Sequence, residues 1–363
     1  MESAILMSSE KNIMKMGIIG YGNMGYWHSI DKITEVKELV INGVWDIKES
    51  AREKARNKGL HVYNSLEDLL ADDEISFVLI ATDNDVHAPI AIQAMRAGKH
   101  VVCEKPITLS SELLEEMIAV SKETGKLLTV HQNRRWDKDY HTVKKLIEDG
   151  TLGEVFRLES RVHGSRGISD TWRRIKEKGG GVTYDWGVHL FDQIMLLKKG
   201  ITLKSIYATY QKITTANVED GFTALLKFSD NTLALIEVQT SDFISAPRWY
   251  VFGTNGTAVI NDWEANGKII KATGKDETDI VPLITDSGFT RMMAPRRDDT
   301  ISEIPLPQVN PDIRDFYRNV VNVIKGEADT LITFDEMRTV IKIIEAVFTS
   351  FETGKAVECN IEM

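Results

Sequence analysis

Short, almost unbroken apolar runs punctuate the first third of the chain, at 16–20, 39–45, 76–81 (SFVLIA), 100–103 (HVVC) and 127–131 (LLTVH). Between them, apolar residues recur at helical spacing over 24–35, 48–58, 86–97 and 110–124. Strands apolar on both faces, alternating with helices, predict an α/β domain with a doubly wound parallel sheet. Its crossovers are right-handed, and its ligands bind outside the carboxyl ends of the strands. The pattern changes near residue 150. A helix over 137–149 is followed by longer alternating stretches at 154–163, 203–215, 221–228, 232–241, 248–253 and 256–261, rich in Thr and Val. They predict an α+β domain on a mainly antiparallel, open-faced sheet, interrupted by one helix at 182–198. Five of the eight prolines lie between 282 and 311, marking an irregular surface excursion. Two helices are expected to close the chain. The last places Phe334, Met337, Ile341, Ile344, Phe348 and Phe351 on one stripe, for packing. The division is 1–133, with a tail over 1–13, and 134–363, with the C-terminal helices packing back on the first domain.

The first strand breaks into glycines at Gly20, Gly22 and Gly25, and Asp46 ends the second strand about twenty residues further on. That is the spacing a dinucleotide requires. The first glycine allows the strand-to-helix turn, the second lets backbone approach the pyrophosphate, and the third lets helix pack on strand. The helix N-terminus adds free N–H groups and positive dipole charge. Tyr21, Asn23 and Met24 complete the loop. A carboxylate at Asp46 accepts from ribose hydroxyls and repels a 2′-phosphate, which favours NAD over NADP, although Lys48 softens that preference.

Two further segments carry chemistry. In AGKHVVCEKPITL, 97–109, Glu104-Lys105-Pro106 follows a buried strand, so Lys105 stands at the carboxyl edge of the sheet with its direction restricted by the proline. It can hold and polarise a substrate hydroxyl; the alternative is a surface lysine in a loop. In GGGVTYDWGVHLFDQIMLL, 179–197, a helix would put Asp185, His189 and Asp192 on one face. An Asp–His pair orients an imidazole as a proton acceptor, or is a structural ion pair.

Together these segments resemble the Gfo/Idh/MocA oxidoreductases, the glucose–fructose oxidoreductase and inositol dehydrogenase type. The likeness covers the glycine loop, Asp46, ATDNDVHAPIAIQAMRAGKHVVCEKP at 81–106 and GGGVTYDWGVH at 179–189, nearly the whole chain. It implies a Rossmann first domain and places Lys105, Asp185 and His189 together over the nicotinamide. Thr82, Asn84, His87 and Glu104 join the cofactor contacts, with His87 open to a structural reading at a helix start. The family often reads Thr-Pro-Asn where this chain has Thr82-Asp83-Asn84, which adds a carboxylate near the cofactor.

The substrate that the likeness implies is a sugar, glycoside or inositol. Asn133, Arg135 and Trp136, with Gln132, follow the last strand of the first domain; Arg161, His163, Trp172, Arg173 and Tyr184 are candidates for the opposite wall, beside Lys105, Asp185 and His189. The expected reaction is oxidation of a secondary hydroxyl, for example at the pyranose C3 position, to a ketone. An NAD-dependent glycosidase using oxidation, elimination and re-reduction, or a non-catalytic nucleotide sensor, is the alternative.

Composition narrows the setting. The 363 residues are 42% hydrophobic and 27% charged, with a net charge of −10 and no basic cluster longer than a pair, which disfavours nucleic acid. Two cysteines, Cys103 and Cys359, without metal-ligand spacing, predict neither disulfide framework nor metal site. No apolar stretch has membrane-spanning length, and the start lacks a secretory pattern, so a cytoplasmic protein is expected. The open sheet face predicts a homo-oligomer.

Overall fold

The computed structural model describes residues 13–30, 32–274 and 280–363; the expected tail lies outside these up to residue 12. The first domain runs β1 (Met14–Ile19), α1 (Asn23–Ile30), β2 (Leu39–Trp45), α2 (Glu49–Asn57), α3 (Leu66–Ala71), β3 (Phe77–Ile80), α4 (His87–Arg96), β4 (His100–Glu104), α5 (Ser111–Thr124) and β5 (Leu128–His131). Its five strands are all parallel in the order β2-β1-β3-β4-β5. The order reverses between β1 and β3, where such a sheet opens a ligand crevice. All four residues of β3 are buried, as a strand covered on both faces must be. The fold is a Rossmann-type α/β domain.

The second domain continues with α6 (Lys138–Glu148), β6 (Val155–His163), a π-helical turn at Thr183–Gly187, α7 (Val188–Leu197), β7 (Thr202–Gln211), β8 (Gly221–Phe228), β9 (Leu233–Gln239), β10 (Trp249–Gly253), β11 (Gly256–Ile260) and β12 (Gly267–Ala272). After it come β13 (Leu283–Thr285), β14 (Gly288–Thr290), β15 (Ile301–Ile304), α8 (Arg314–Ile324), α9 (Phe334–Thr353) and β16 (Val357–Glu362). Nine strands form one sheet, β15-β12-β11-β10-β6-β9-β8-β7-β16, antiparallel except where β6 meets β9. Helices cover one face; on the other, Tyr207 and Leu225 are exposed cross-strand neighbours.

Three expectations are corrected. The proline-rich stretch holds a small hairpin, β13–β14, and β15 joins the main sheet. The chain ends in a strand, because β16 pairs with β7 rather than leaving the last helix terminal. The 182–198 helix begins as a π turn, a wider coil found at functional sites.

α9 is held by both domains. Met337 and Ile341 lie in the buried cluster of β1 and β3, with Phe316 and Tyr317 of α8, whereas Ile344 and Val347 lie in that of the second sheet. Side chains at steps of three and four reach both cores at once. The helix starts at a capping box between Thr333 and Glu336, which satisfies two otherwise free backbone donors.

Candidate active site

The cofactor groove that the switch in strand order implies lies where β1 gives way to α1. Gly20 has φ +92°, and a Cβ there would lie 2.6 Å from the Ala81 carbonyl oxygen. At Gly25 a Cβ would fall 2.0 Å from the Gly20 carbonyl oxygen, a backbone atom that cannot yield. Gly22, by contrast, faces open space. Two glycines are thus needed to fold the turn, and the third leaves room for a group against the first turn of α1, whose N–H groups have no partner within the helix. Asp46, at the end of β2, accepts from the Tyr21 N–H at 2.6 Å and the Lys48 N–H at 2.8 Å, so its carboxylate sits beside the loop. Gly22, Asn23 and Met24 form the accessible rim.

The opposite end of the groove is built by both domains. Lys105, directly after β4, sends its Nζ to the backbone carbonyl of Asp185 at 2.8 Å and to Oδ1 at 3.1 Å. Arg173 donates from Nε to Oδ2 of the same carboxylate at 2.8 Å. Burial pushes the Asp185 carboxyl up, but Lys105 and Arg173 outweigh it and hold the pKa at about 2. His189, on the first turn of α7, is 4% exposed. Its Nδ1 is buried without a hydrogen-bond partner. Burial, then Lys105 and Arg134, lower its pKa well below the ordinary histidine value, so the imidazole is neutral. Beside it, the Trp186 ring lies 6.1 Å away, and the Arg134 guanidinium stacks between Trp186 and Trp263 at 4.4 and 4.5 Å.

This construction, a glycine turn at one end and a lysine with a neutral histidine at the other, matches known proteins along both domains. The oxidoreductase family model GFO_IDH_MocA, described as an NAD-binding Rossmann fold, matches residues 14–132, and the GFO/IDH/MocA C-terminal domain model matches 140–259. An uncharacterized oxidoreductase of Schizosaccharomyces pombe is 31% identical over 320 residues, 82% of this chain and 85% of that one. The chain belongs to the GFO/IDH/MocA oxidoreductase family. Within that family, a scyllo-inositol 2-dehydrogenase (NADP(+)) of Bacillus subtilis is 27% identical, covering 95% of each chain. A solved NAD-binding protein from Listeria innocua has a TM-score of 0.91 and 42% identity, covering 96% of this chain and 99% of that one. The open space at Gly22, the backbone-walled turn and the carboxylate at Asp46 fit the dinucleotide that the family's Rossmann domain binds.

Several residues singled out in the sequence of this GFO/IDH/MocA protein have other work. Asp185 does not bond His189: two cations already claim its carboxylate, and the π turn replaces the α-helical phase that would have stacked the pair. Tyr21 gives its backbone N–H to Asp46, its ring is buried and its hydroxyl bonds Ser29 Oγ at 2.8 Å. His87 is fully buried and bonds the Pro106 carbonyl at 2.8 Å, which makes it a brace beneath the loop. Glu104 turns inward, its Oε1 bridging His28 and His131 at 2.8 and 2.9 Å, while Oε2 accepts from the Lys105 N–H at 3.2 Å. Tyr317 closes that network against both imidazoles. Asn84 is buried and donates to the Gly179 carbonyl at 3.2 Å, and Thr82 lines the turn at Gly20.

On the substrate side, Arg135 is consumed by a bidentate bond to Asp192 at 2.6 and 2.8 Å and a third to Glu336. Trp136 packs edge-on against Phe316 of the first core, 5.8 Å between rings. Tyr184 braces the domains, its hydroxyl on the Leu109 carbonyl at 2.9 Å. His163 and Arg161 alternate with buried Leu158 on β6 and so lie on the open sheet face, where His163 bonds Glu237 at 2.9 Å. Asn133 follows β5 with its Oδ1 buried and unpartnered, and Trp172 is half-buried beside the Arg173 guanidinium at 4.6 Å. Trp186 and Trp263 were not foreseen. No local signal brings Trp263, from the loop after β11, beside α7.

Proposed function

We propose that this oxidoreductase oxidises a secondary hydroxyl of an inositol, sugar or glycoside reversibly to a ketone, with NAD as the acceptor. The observation that carries the reading is the meeting of Lys105 from the first domain with Asp185 from the second, 3.1 Å apart, next to a neutral His189. Asp185 holds the ammonium group in place through two acceptors, its carbonyl and its carboxylate. Lys105 donates to the substrate oxygen and stabilises the negative charge that develops there. His189 takes the hydroxyl proton at Nε2; the cations that keep it neutral also favour the deprotonated oxygen. NAD, held by the glycine turn and Asp46, would supply the hydride acceptor for the carbon bearing that oxygen, and the protein's share is position and electrostatics. The buried, unpartnered Oδ1 of Asn133 is an acceptor suited to a neighbouring substrate hydroxyl.

Asp46 supports NAD over NADP, and Arg52 does not offset it, being tied to Glu49 and to the Asp46 carbonyl. A homo-oligomer is supported by the exposed Tyr207 and Leu225 on the open face of the second sheet. The test is a panel of inositols, aldoses and glycosides with NAD or NADP, monitored for reduced nicotinamide and for a product lighter by two hydrogens. The expected result is ketone formation with NAD preferred. Glycoside cleavage without net cofactor reduction, or cofactor binding with no turnover across the panel, would overturn it.

A further inference from the structure

Between the reaction end and the glycine turn runs a strap, residues 172–181, anchored at both ends. At one end Arg173 grips Asp185. At the other, the Lys178 Nζ lies 2.7 Å from Oδ2 of Asp83, and Gly179 gives its carbonyl to Asn84. Asp83 and Asn84 follow β3, next to the Thr82 side chain that crowds Gly20. The strap is threaded tightly. A Cβ on Gly179 would lie 2.4 Å from Leu109 Cδ2, on Gly180 2.5 Å from the Arg173 carbonyl, and on Gly181 2.3 Å from Glu219 Oε1. Gly179 and Gly181 also have φ of +70° and +98°, which glycine adopts without cost. The only ionic tie between the strap and the first-domain loop, among the described residues, is Asp83 to Lys178.

We propose that Asp83 and Lys178 form a latch between the domains that holds the strap across the mouth of the cofactor groove and slows cofactor release. The proposal rests on the dinucleotide reading of the groove but not on any substrate. The Lys178 and Asp83 side chains are 38% and 32% exposed, so the tie is screened by salt and weak enough to open on each release. It acts on the rate of exchange rather than on folding. Asp83 and Lys178 are thus positioning residues: neither is required to touch a reacting atom. The cation is already satisfied by Asp83, so Lys178 is not free to serve as a phosphate ligand unless the latch opens.

The experiment loads the full-length protein with NADH and displaces it with excess NAD, following nicotinamide fluorescence. Asp83→Asn and Lys178→Gln each release NADH about two- to fivefold faster at low ionic strength, the range of a half-exposed ion pair. The double variant Asp83→Asn with Lys178→Gln releases no faster than either single. The charge-reversed pair, Asp83→Lys with Lys178→Asp, restores slow release, which a merely structural loss would not do. Salt accelerates release from the parent protein and leaves the neutralised variants almost unchanged. Unaltered release in Asp83→Asn, or effects of the two substitutions that simply multiply, would overturn the latch. Should Asp83→Asn fold poorly, Lys178→Gln and the salt dependence of the parent decide the matter alone. Failure of the parent protein to bind NADH at all would instead strike the cofactor reading.

Discussion

Replacing His189 by leucine should push activity and stability in opposite directions. The imidazole is 4% exposed, and its Nδ1 is buried with no partner. A buried polar group left unpaired costs about 1–3 kcal/mol. Nε2 is not among the buried unpartnered atoms and escapes part of that cost, so His189→Leu should stabilise the protein by about 1 kcal/mol. The two side chains have similar volume, so neither cavity nor overpacking offsets the gain. The same substitution removes the proton acceptor, a loss of about 10²–10⁴-fold in turnover. Thermal unfolding and steady-state reduction of NAD by the best substrate of the panel read the two effects separately, with NADH titration showing that the groove remains intact. A variant that is less stable and nearly as active would refute both the unpaired state of Nδ1 and the catalytic assignment.

Other consequences can be checked in the same preparations. Lys105→Met should lower turnover about 10²–10³-fold, the scale of one lost donor to a developing oxyanion, with NADH affinity changed little; normal turnover would remove the lysine from the chemistry. Because burial, Lys105 and Arg134 depress the His189 pKa, the neutral base persists below the ordinary value of 6.5. The acidic limb of the kcat/KM profile should therefore lie below pH 6.5, and a limb at or above that value contradicts the electrostatics. Leu225→Asp places a charge beside Tyr207 on the open sheet face and should shift the protein toward monomer in light scattering; an unchanged mass would place the interface elsewhere.

The glycine turn was legible because backbone geometry leaves no choice: a Cβ at Gly25 would strike the Gly20 carbonyl. Lys105 was legible for a similar reason, as it follows a short, almost wholly buried strand and precedes a proline. The Asp185–His189 pair misled, since spacing of four implies contact only in an α-helix, and a π turn with two competing cations intervenes. Adjacent arginines diverge in a way that local pattern cannot resolve. Arg134 stacks between two tryptophans near His189, whereas Arg135 is buried on Asp192 and Glu336. His163 was a missed inference, because its odd separation from Leu158 already put it on the face opposite the core. Trp263 depends on packing within the second domain, beside Trp186, Arg134 and Arg248, and the latch partner Lys178 on the docking of two domains; only the tertiary fold reveals either.

The proposed mechanism requires Lys105 and His189 to serve one hydroxyl. A crystal structure with NAD and an oxidisable polyol, trapped by the slow Lys105→Arg variant or at low temperature, measures that directly. One substrate oxygen should lie within about 3 Å of both the residue 105 side-chain nitrogen and His189 Nε2, with its carbon facing the nicotinamide. A substrate whose nearest hydroxyl touches only one of them, or whose carbon faces away from the cofactor, would contradict the mechanism.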